Sequence, residues 1–395
     1  MKTIRLRTHK EDSLLRFHPW VFSGAIAKAD NGIKEGELVL VENSNGIAMG
    51  VGHYAIGSIA VRMLEFNTDH LSNDFLHERL LSAYRLRQDM MFIRPDNDTY
   101  RLVHGEGDFL PGLVVDIYGD TAVVQAHSVG MHLWRQEIAY QLMQIVEGLK
   151  NVYYKSEGTL PHKADISDLK EGYLIGSAGT CMGVENGLKF SVDWLRGQKT
   201  GFFVDQRENR SLLQHYADKK RVLNMFCYTG GFSVYALRGG ATYVHSVDSS
   251  EKAVELAQQN VDLNFPDCIN HKAIAQDAFN YLDSLTTPDA PKYDIIILDP
   301  PAFAKHRDAI RNALRGYQRL NAKAIRLLPK GGLLFTFSCS QAIDKEMFRL
   351  AVFSAAAETG RKVRILHQLT QPQDHPINIY HPEGEYLKGL VLAVD

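Results

Sequence analysis

The hydrophobic pattern of the chain changes period along its length. Up to about residue 70 the apolar residues fall in short runs at 37–41, 46–50 and 59–64, bounded by Asn43-Ser-Asn-Gly46 and Gly57-Ser58. Short runs between such turn signals predict a small β-barrel. Within His18-Pro-Trp-Val-Phe-Ser-Gly24, Trp20 and Phe22 are expected to plug its core. From 73 to 94 the spacing of Phe75, Leu76, Leu80 and Tyr84 predicts a helix. Strands at 100–104, 113–118 and 121–126, a helix near 131–149 and further strands to about 192 predict a small central α+β domain. Beyond about 216 the two periods alternate. Strands are predicted near 222–226, 243–247, 272–276, 293–298, 332–338, 362–369 and 387–394, and helices near 231–238, 250–264, 278–285, 309–328 and 343–359. Such alternation means an α/β, Rossmann-like, mostly parallel sheet with ligands at the carboxyl ends of its strands. The last two strands have no helical segment between them, so the final strand is expected to be antiparallel. The implied division is 1–72, 73–192 and 193–395.

The stretch 222–236 is a strand, a turn holding Gly230 and Gly231, and a helix start, which offers backbone amides and a positive helix end to a ligand. Asp248 ends the next strand, near the roughly 20-residue spacing of an acidic residue that holds ribose hydroxyls. The turn is not G-x-G-x-x-G, which disfavours a dinucleotide. S-adenosylmethionine (SAM) fits better, having a ribose and adenine but no pyrophosphate. Many such units bind nothing, so the reading needs the rest of the rim. Asp277 suits the adenine amino group or a plain helix N-cap. Asp299-Pro-Pro301 follows the apolar run 295–298, and its stiff loop suits an exocyclic amino group. Cys339 ends the next strand, on the same rim. A thiolate there suits attack on C6 of cytosine, which activates C5; the competing reading is a buried structural thiol. Cys227, in the turn itself, is assigned to packing.

Composition excludes more than it identifies. The 395 residues are 45% hydrophobic and 23% charged, ordinary for a globular protein. No run approaches the ~20 apolar residues of a membrane span, and no secretory h-region is visible. The four cysteines show no C-x-x-C spacing, so neither a metal nor a disulfide framework is expected, and a cytoplasmic location is the simplest. Net charge is −2, yet residues 302–330 hold eight Lys/Arg against one Asp. Arg311, Arg315, Arg319, Lys323, Arg326 and Lys330 share one helical face, which suits phosphate contacts unless Gly316 splits the helix.

These motifs together resemble the RlmI-type family of bacterial 23S rRNA (cytosine-5) methyltransferases, nearly end to end. The resemblance rests on His18–Gly24, Gly105-Glu-Gly-Asp-Phe-Leu-Pro-Gly112, Lys199-Thr-Gly-Phe-Phe-Val-Asp-Gln-Arg207, Phe226-Cys-Tyr-Thr-Gly-Gly231, Asp299-Pro-Pro301, Arg315-Gly-Tyr317, Phe337-Ser-Cys-Ser340, Asp374-His-Pro376 and Pro382-Glu-Gly384. It implies a PUA-like RNA-binding barrel, a central domain and a SAM-dependent domain whose catalytic residues are Cys339 and Asp299. Implied cofactor contacts are Asn224, Phe226, Tyr228, Thr229, Gly230, Asp248, Asp277, Asp299 and Pro300. Implied RNA contacts are Lys199, Arg207, Pro301, Lys305, Arg315, Tyr317 and Arg319. The partner is 23S rRNA, with no membrane; a homodimer stays open. The family often has Lys after the double proline, where this chain has Ala302. Two other readings stand beside this one: a base N-methyltransferase that needs no cysteine, and a non-catalytic ribosome-assembly factor.

Overall fold

The computed structural model describes residues 1–161, 166, 170–179, 181–304 and 307–395. The chain forms two compact units. The first comprises Met1–Gly187, Val192–Val204 and Gln373–Gly384; the second comprises Leu188–Ser191, Asp205–Pro372 and Glu385–Asp395.

In the first unit, a six-stranded sheet runs in the order Trp20–Phe22, Ile59–Phe66, Ala48–Tyr54, Leu38–Glu42, Lys2–Leu6, Ile26–Ala29. The strand Lys2–Leu6, absent from the sequence reading, pairs in parallel with Leu38–Glu42 and sends Ile4 and Leu6 into a core with Val21, Val39 and Val41. The expected plug of Trp20 and Phe22 is corrected. Strand alternation buries Val21 and turns Phe22 out at 46% exposure, while Trp20 is half-buried with its indole N–H donated to Glu106 at 2.8 Å. A second, five-stranded sheet is ordered Gly172–Ile175, Asn151–Tyr154, Thr121–Ala126, Leu113–Tyr118, Thr99–His104. The helix expected at 131–149 is two helices, Val129–Leu133 and Arg135–Ile145, meeting at Trp134.

A buried polar network ties this unit together. Arg87 is 1% exposed and donates to the Asp108 carboxylate at 2.8 Å, to Asp374 O at 2.7 Å and to Arg101 O at 2.8 Å. The Asp374 carboxylate accepts the Arg101 amide at 3.0 Å, and Arg101 donates to Asp116 at 2.7 Å. The motifs 105–112 and 374–376, some 270 residues apart, therefore meet in one ion-pair network. Such a network holds only while every member is satisfied, because removing one partner strands a buried charge.

In the second unit the elements are α1 (Arg207–Tyr216), β1 (Arg221–Met225), α2 (Gly231–Arg238), β2 (Tyr243–Asp248), α3 (Glu251–Asn264), β3 (His271–Ala275), α4 (Ala278–Ser284), β4 (Ile295–Leu298), α5 (Ile310–Leu327), β5 (Gly332–Ser338), α6 (Lys345–Thr359), β6 (Val363–Leu369) and β7 (Lys388–Val394). Among the described residues they give one seven-stranded sheet, ordered β3-β2-β1-β4-β5-β7-β6. β1 to β5 are parallel, and β7 is antiparallel to both β5 and β6, as the pattern predicts. The central strands are covered on both faces. Leu223, Ile296, Leu298 and Leu334 pack into one apolar layer, and Val222, Ile295, Ile297 and Phe335 into the other. α5 is continuous through Gly316, so Arg311, Arg315, Arg319, Lys323 and Arg326 lie on one helix, while Lys330 of the expected stripe stands beyond its end at Leu327. A Cβ at Gly316 would stand 3.0 Å from the Phe303 ring, so glycine lets that loop lie against the helix. Among the described residues no helix is long and apolar enough to cross a membrane.

His53 gives a test of the first unit's core. It is 1% exposed, with its ring 4.4 Å from that of Trp134, and burial, helped by Arg62, lowers its pKa to about 3. The unfolded imidazole takes a proton near pH 6.5, whereas the folded one stays neutral. Its contribution to stability is therefore complete above pH 6.5 and is lost as pH falls toward 3, by at most about 1.4 kcal/mol per pH unit. Urea unfolding between pH 7 and 5 should show a steeper fall for the wild type than for His53→Phe. Equal slopes would contradict the buried neutral ring.

Candidate active site

Register puts the ends of β1 to β5 on a common rim. Met225 pairs with Val247 and Leu298, Asp248 with Ala275, and Leu298 with Thr336. The turns after these strands therefore carry Phe226–Gly231, Asp248, Asp277, Asp299 and Cys339 to one edge.

The turn after β1 is tightly wound. Phe226 (φ 58°), Tyr228 (φ 43°) and Gly230 (φ 76°) all take left-handed backbone conformations. At Gly230 a Cβ would also meet the Ala257 side chain at 2.9 Å, so glycine satisfies two demands there. The turn is pinned by Cys227 N–H to Val247 O at 3.0 Å and by Tyr228 N–H to the Asp248 carboxylate at 3.1 Å. The other Asp248 oxygen accepts the Ser250 amide at 3.0 Å. A carboxylate has about four acceptor sites, so this half-buried group keeps capacity for two hydroxyls. That acceptor, beside a turn whose backbone is fixed, fits the ribose of SAM.

Other expected cofactor contacts divide. Asn224 is 1% exposed and donates to Ser233 Oγ at 2.9 Å, which in turn bonds Ser246 Oγ. Through this bond it braces the turn. Its place in the strand interior, one residue before the end of β1, explains this burial. Thr229 is likewise buried at 3% and is held through its carbonyl, which accepts from Asn260 at 2.8 Å. Asp277 is exposed and caps α4 through Asn280 N–H at 3.0 Å, which leaves its second oxygen outward. Pro300 is buried, and Pro301 is exposed beside it.

Cys339 is half-buried, and its sulfur lies 4.0 Å from Pro300 O, next to the loop that Asp299 begins. The loop is locked from the other side, since Ser340 Oγ donates to Ala304 O at 2.6 Å. Cys227 differs: it is 6% exposed, and burial with the nearby Asp248 charge pushes its thiol well above the ordinary range. The rim cysteine is the accessible one of the pair.

Two residues expected to contact RNA are buried. Tyr317 is 0% exposed, on the α5 face that also buries Ala313, Leu320 and Ala324; its ring lies 4.6 Å from Phe303 and 5.3 Å from Phe348. Arg207 is 1% exposed at the start of α1. Arg315 and Arg319 are exposed on α5, with Arg319 5.4 Å from the Phe279 ring. Lys323 pairs with Asp283, and Arg326 pairs with Glu358 at 2.7 Å. The stripe therefore keeps its unneutralised charge toward the start of α5. Lys199 belongs to the first unit and is exposed, 4.5 Å from the Phe203 ring. Lys305 lies outside the described residues.

In the first unit, His18, His381 and Glu383 bring donor atoms within 4.8 Å of one another. His18 Nδ1 accepts the Trp20 amide at 3.2 Å, which puts the neutral ring's proton on Nε2, facing Glu383 at 3.4 Å. A protonated Nε2 has no lone pair for a metal, so the cluster reads as a hydrogen-bonded knot.

Residues 167–382 match the model of an S-adenosylmethionine-dependent methyltransferase family, and residues 4–66 match a PUA-like domain. The chain is 40% identical to the ribosomal RNA large subunit methyltransferase I of Tolumonas auensis, over 99% of this chain and 98% of that protein. The chain belongs to this methyltransferase family. It is also 36% identical, over 98% of its length and 97% of the relative, to the enzyme of the same name from an Escherichia coli O139:H28 strain. A putative SAM-dependent methyltransferase from Streptococcus mutans shares its fold, with a TM-score of 0.85 at 23% identity over the whole of both chains. The methyltransferase uses SAM, and a structural neighbour with the same TM-score carries SAH.

Asp248→Ala should remove the two ribose hydrogen bonds to a charged acceptor, weakening SAM binding by about 1.5–3 kcal/mol, or roughly ten- to a hundredfold. Calorimetric titration of the folded variant checks this. Unchanged affinity would remove Asp248 from the pocket.

Proposed function

We propose that this methyltransferase forms 5-methylcytosine in 23S rRNA through a covalent bond from Cys339 to C6 of the base. The observation that carries the reading is the half-buried Cys339 sulfur beside the Asp299–Pro301 loop, at the rim that holds the SAM turn. The relatives named as large-subunit rRNA methyltransferases support the substrate class, and the PUA-like match at 4–66 supports RNA binding by the first 72 residues. An rRNA substrate implies action in the cytoplasm.

SAM supplies an electrophilic methyl group when bound. Asp248 and Asp277 orient its adenosine end. The Asp299 carboxylate or a loop carbonyl accepts the cytosine N4 amino group and sets the ring against Cys339. The thiolate adds to C6, and the electron pair of the C5–C6 double bond makes C5 nucleophilic. Once C5 carries the methyl group, a base takes its proton. The double bond re-forms, and the C6–S bond breaks to return the thiolate.

With 5-fluorocytosine at the target, C5 has no proton to lose after methylation, so wild-type protein should stay bonded to the RNA on a denaturing gel. Cys227→Ala should still be trapped. Cys339→Ala should bind SAM and RNA but give neither trapping nor turnover. Turnover by Cys339→Ala would overturn the mechanism in favour of N-methylation.

The cationic start of α5 is assigned to phosphate contacts. Arg315→Glu and Arg319→Glu should weaken RNA binding and flatten its salt dependence by roughly one unit of log–log slope per lost contact, with SAM affinity unchanged. An unaltered slope would leave only a solvated face.

A further inference from the structure

The residue that begins β7 is a buried lysine. Lys388 is 3% exposed, and antiparallel register places it opposite Ser338, one residue before Cys339. Its Nζ donates to Ser340 O at 2.5 Å and to Tyr386 O at 2.7 Å. An ammonium has three donors, so two serve to fix it between the backbone just after the cysteine, at Ser340, and its own segment, at Tyr386. No carboxylate among the described residues lies within ion-pair distance of it, although a buried cation ordinarily requires an anion.

The surrounding charges narrow the choice of that anion. The groups that act on Lys388 are Cys339, then Glu385 and Asp344, with Lys345 opposing. Glu385 is already paired with Lys345. Asp344 is committed to the start of α6, accepting the Met347 amide at 2.8 Å. Beyond Cys339 stand Asp299 and Tyr317; both Cys339 and Asp299 act electrostatically on the Tyr317 hydroxyl, whose pKa burial raises to about 12. Asp299 is acidic and Tyr317 stays neutral at pH 7, so neither favours a negative sulfur. Burial lowers the Lys388 pKa to about 8, which still leaves the amine mostly protonated at pH 7.

We propose that Lys388 is a positioning residue whose ammonium holds Cys339 as the thiolate before the base arrives. This rests on the reading of Cys339 as the nucleophile. It adds the origin of the anion: the thiol proton goes to solvent, and Lys388 keeps its own proton through addition to C6 and through elimination. A preformed thiolate attacks without a separate base, and the same charge receives the sulfur when the C6–S bond breaks.

Iodoacetamide alkylation of the Cys339 peptide, followed by mass spectrometry from pH 5 to 10 on the full chain, reads the thiolate directly. In the unsubstituted protein the midpoint should fall at least one unit below the ordinary thiol value of about 8.5. Lys388→Met should move it upward by a unit or more, slowing alkylation at pH 7 by about tenfold, whereas Lys388→Arg should keep it low. SAM binding should be retained in both, which separates loss of charge from loss of fold. A midpoint at or above about 8.5 in the unsubstituted protein would overturn the proposal even if Lys388→Met did not fold. So would an unmoved midpoint in a Lys388→Met protein that binds SAM. Turnover by Cys339→Ala would instead overturn the nucleophile reading and leave the alkylation result standing as a measurement of the pair.

Discussion

The register of the five parallel strands is the constraint on which the rest depends. Met225 opposite Val247 and Leu298, and Leu298 opposite Thr336, bring the turns of four neighbouring strands, β2, β1, β4 and β5, to the same height. A slip of one residue in any strand would send its buried set to the other face and withdraw its terminal group from the rim. The apolar runs make slippage expensive. Ile295, Ile297 and Leu298 are 0% exposed with layers on both sides, and each buried side chain of this size contributes about 1.5–3 kcal/mol. Chemistry at the rim is thus positioned by packing far from it.

The turn after β1 shows how that stability is used. Left-handed backbone at Phe226 and Tyr228 costs of order 1–3 kcal/mol per residue. The surroundings hold it there: Asn224 bonds Ser233, Ser233 bonds Ser246, and the Cys227 amide bonds Val247. The strain points amides and carbonyls outward at a place where β1 alone would have continued into α2. Asn224 and Thr229 matter here as braces.

Much of this was legible in the sequence, for a physical reason. Period-two and period-3.6 patterns report which residues face a core, so the elements of the second unit and its antiparallel last strand followed from them. So did the rim, since strand ends are where apolar runs stop at Asp248, Asp299 and Cys339. What stayed hidden depends on direction within an element. A motif places Tyr317 and Arg207 in sequence but does not say which way their side chains point, and both are buried. Lys2–Leu6 is a strand too short and too basic to stand out until its parallel partner is known. Lys388 sits in an apolar strand beside Pro382-Glu-Gly384. A lysine opening a strand that is otherwise apolar on both faces was the available signal.

Arg315-Gly-Tyr317 shows why motif and contact are different things. Three adjacent residues meet three demands of one helix. Arg315 presents an exposed cation. Gly316 has no Cβ, which would otherwise crowd the Phe303 ring at 3.0 Å. Tyr317 fills the core against Phe303 and Phe348. Phe303 lies two residues past Pro301, so the buried ring of Tyr317 and the missing side chain of Gly316 together hold the loop on which Asp299 is mounted. The helix thus joins a surface suited to phosphate and a clamp on the chemical rim. Because α5 is one unbroken element, a displacement at its cationic face must be carried to that clamp through packed rings rather than through a flexible link.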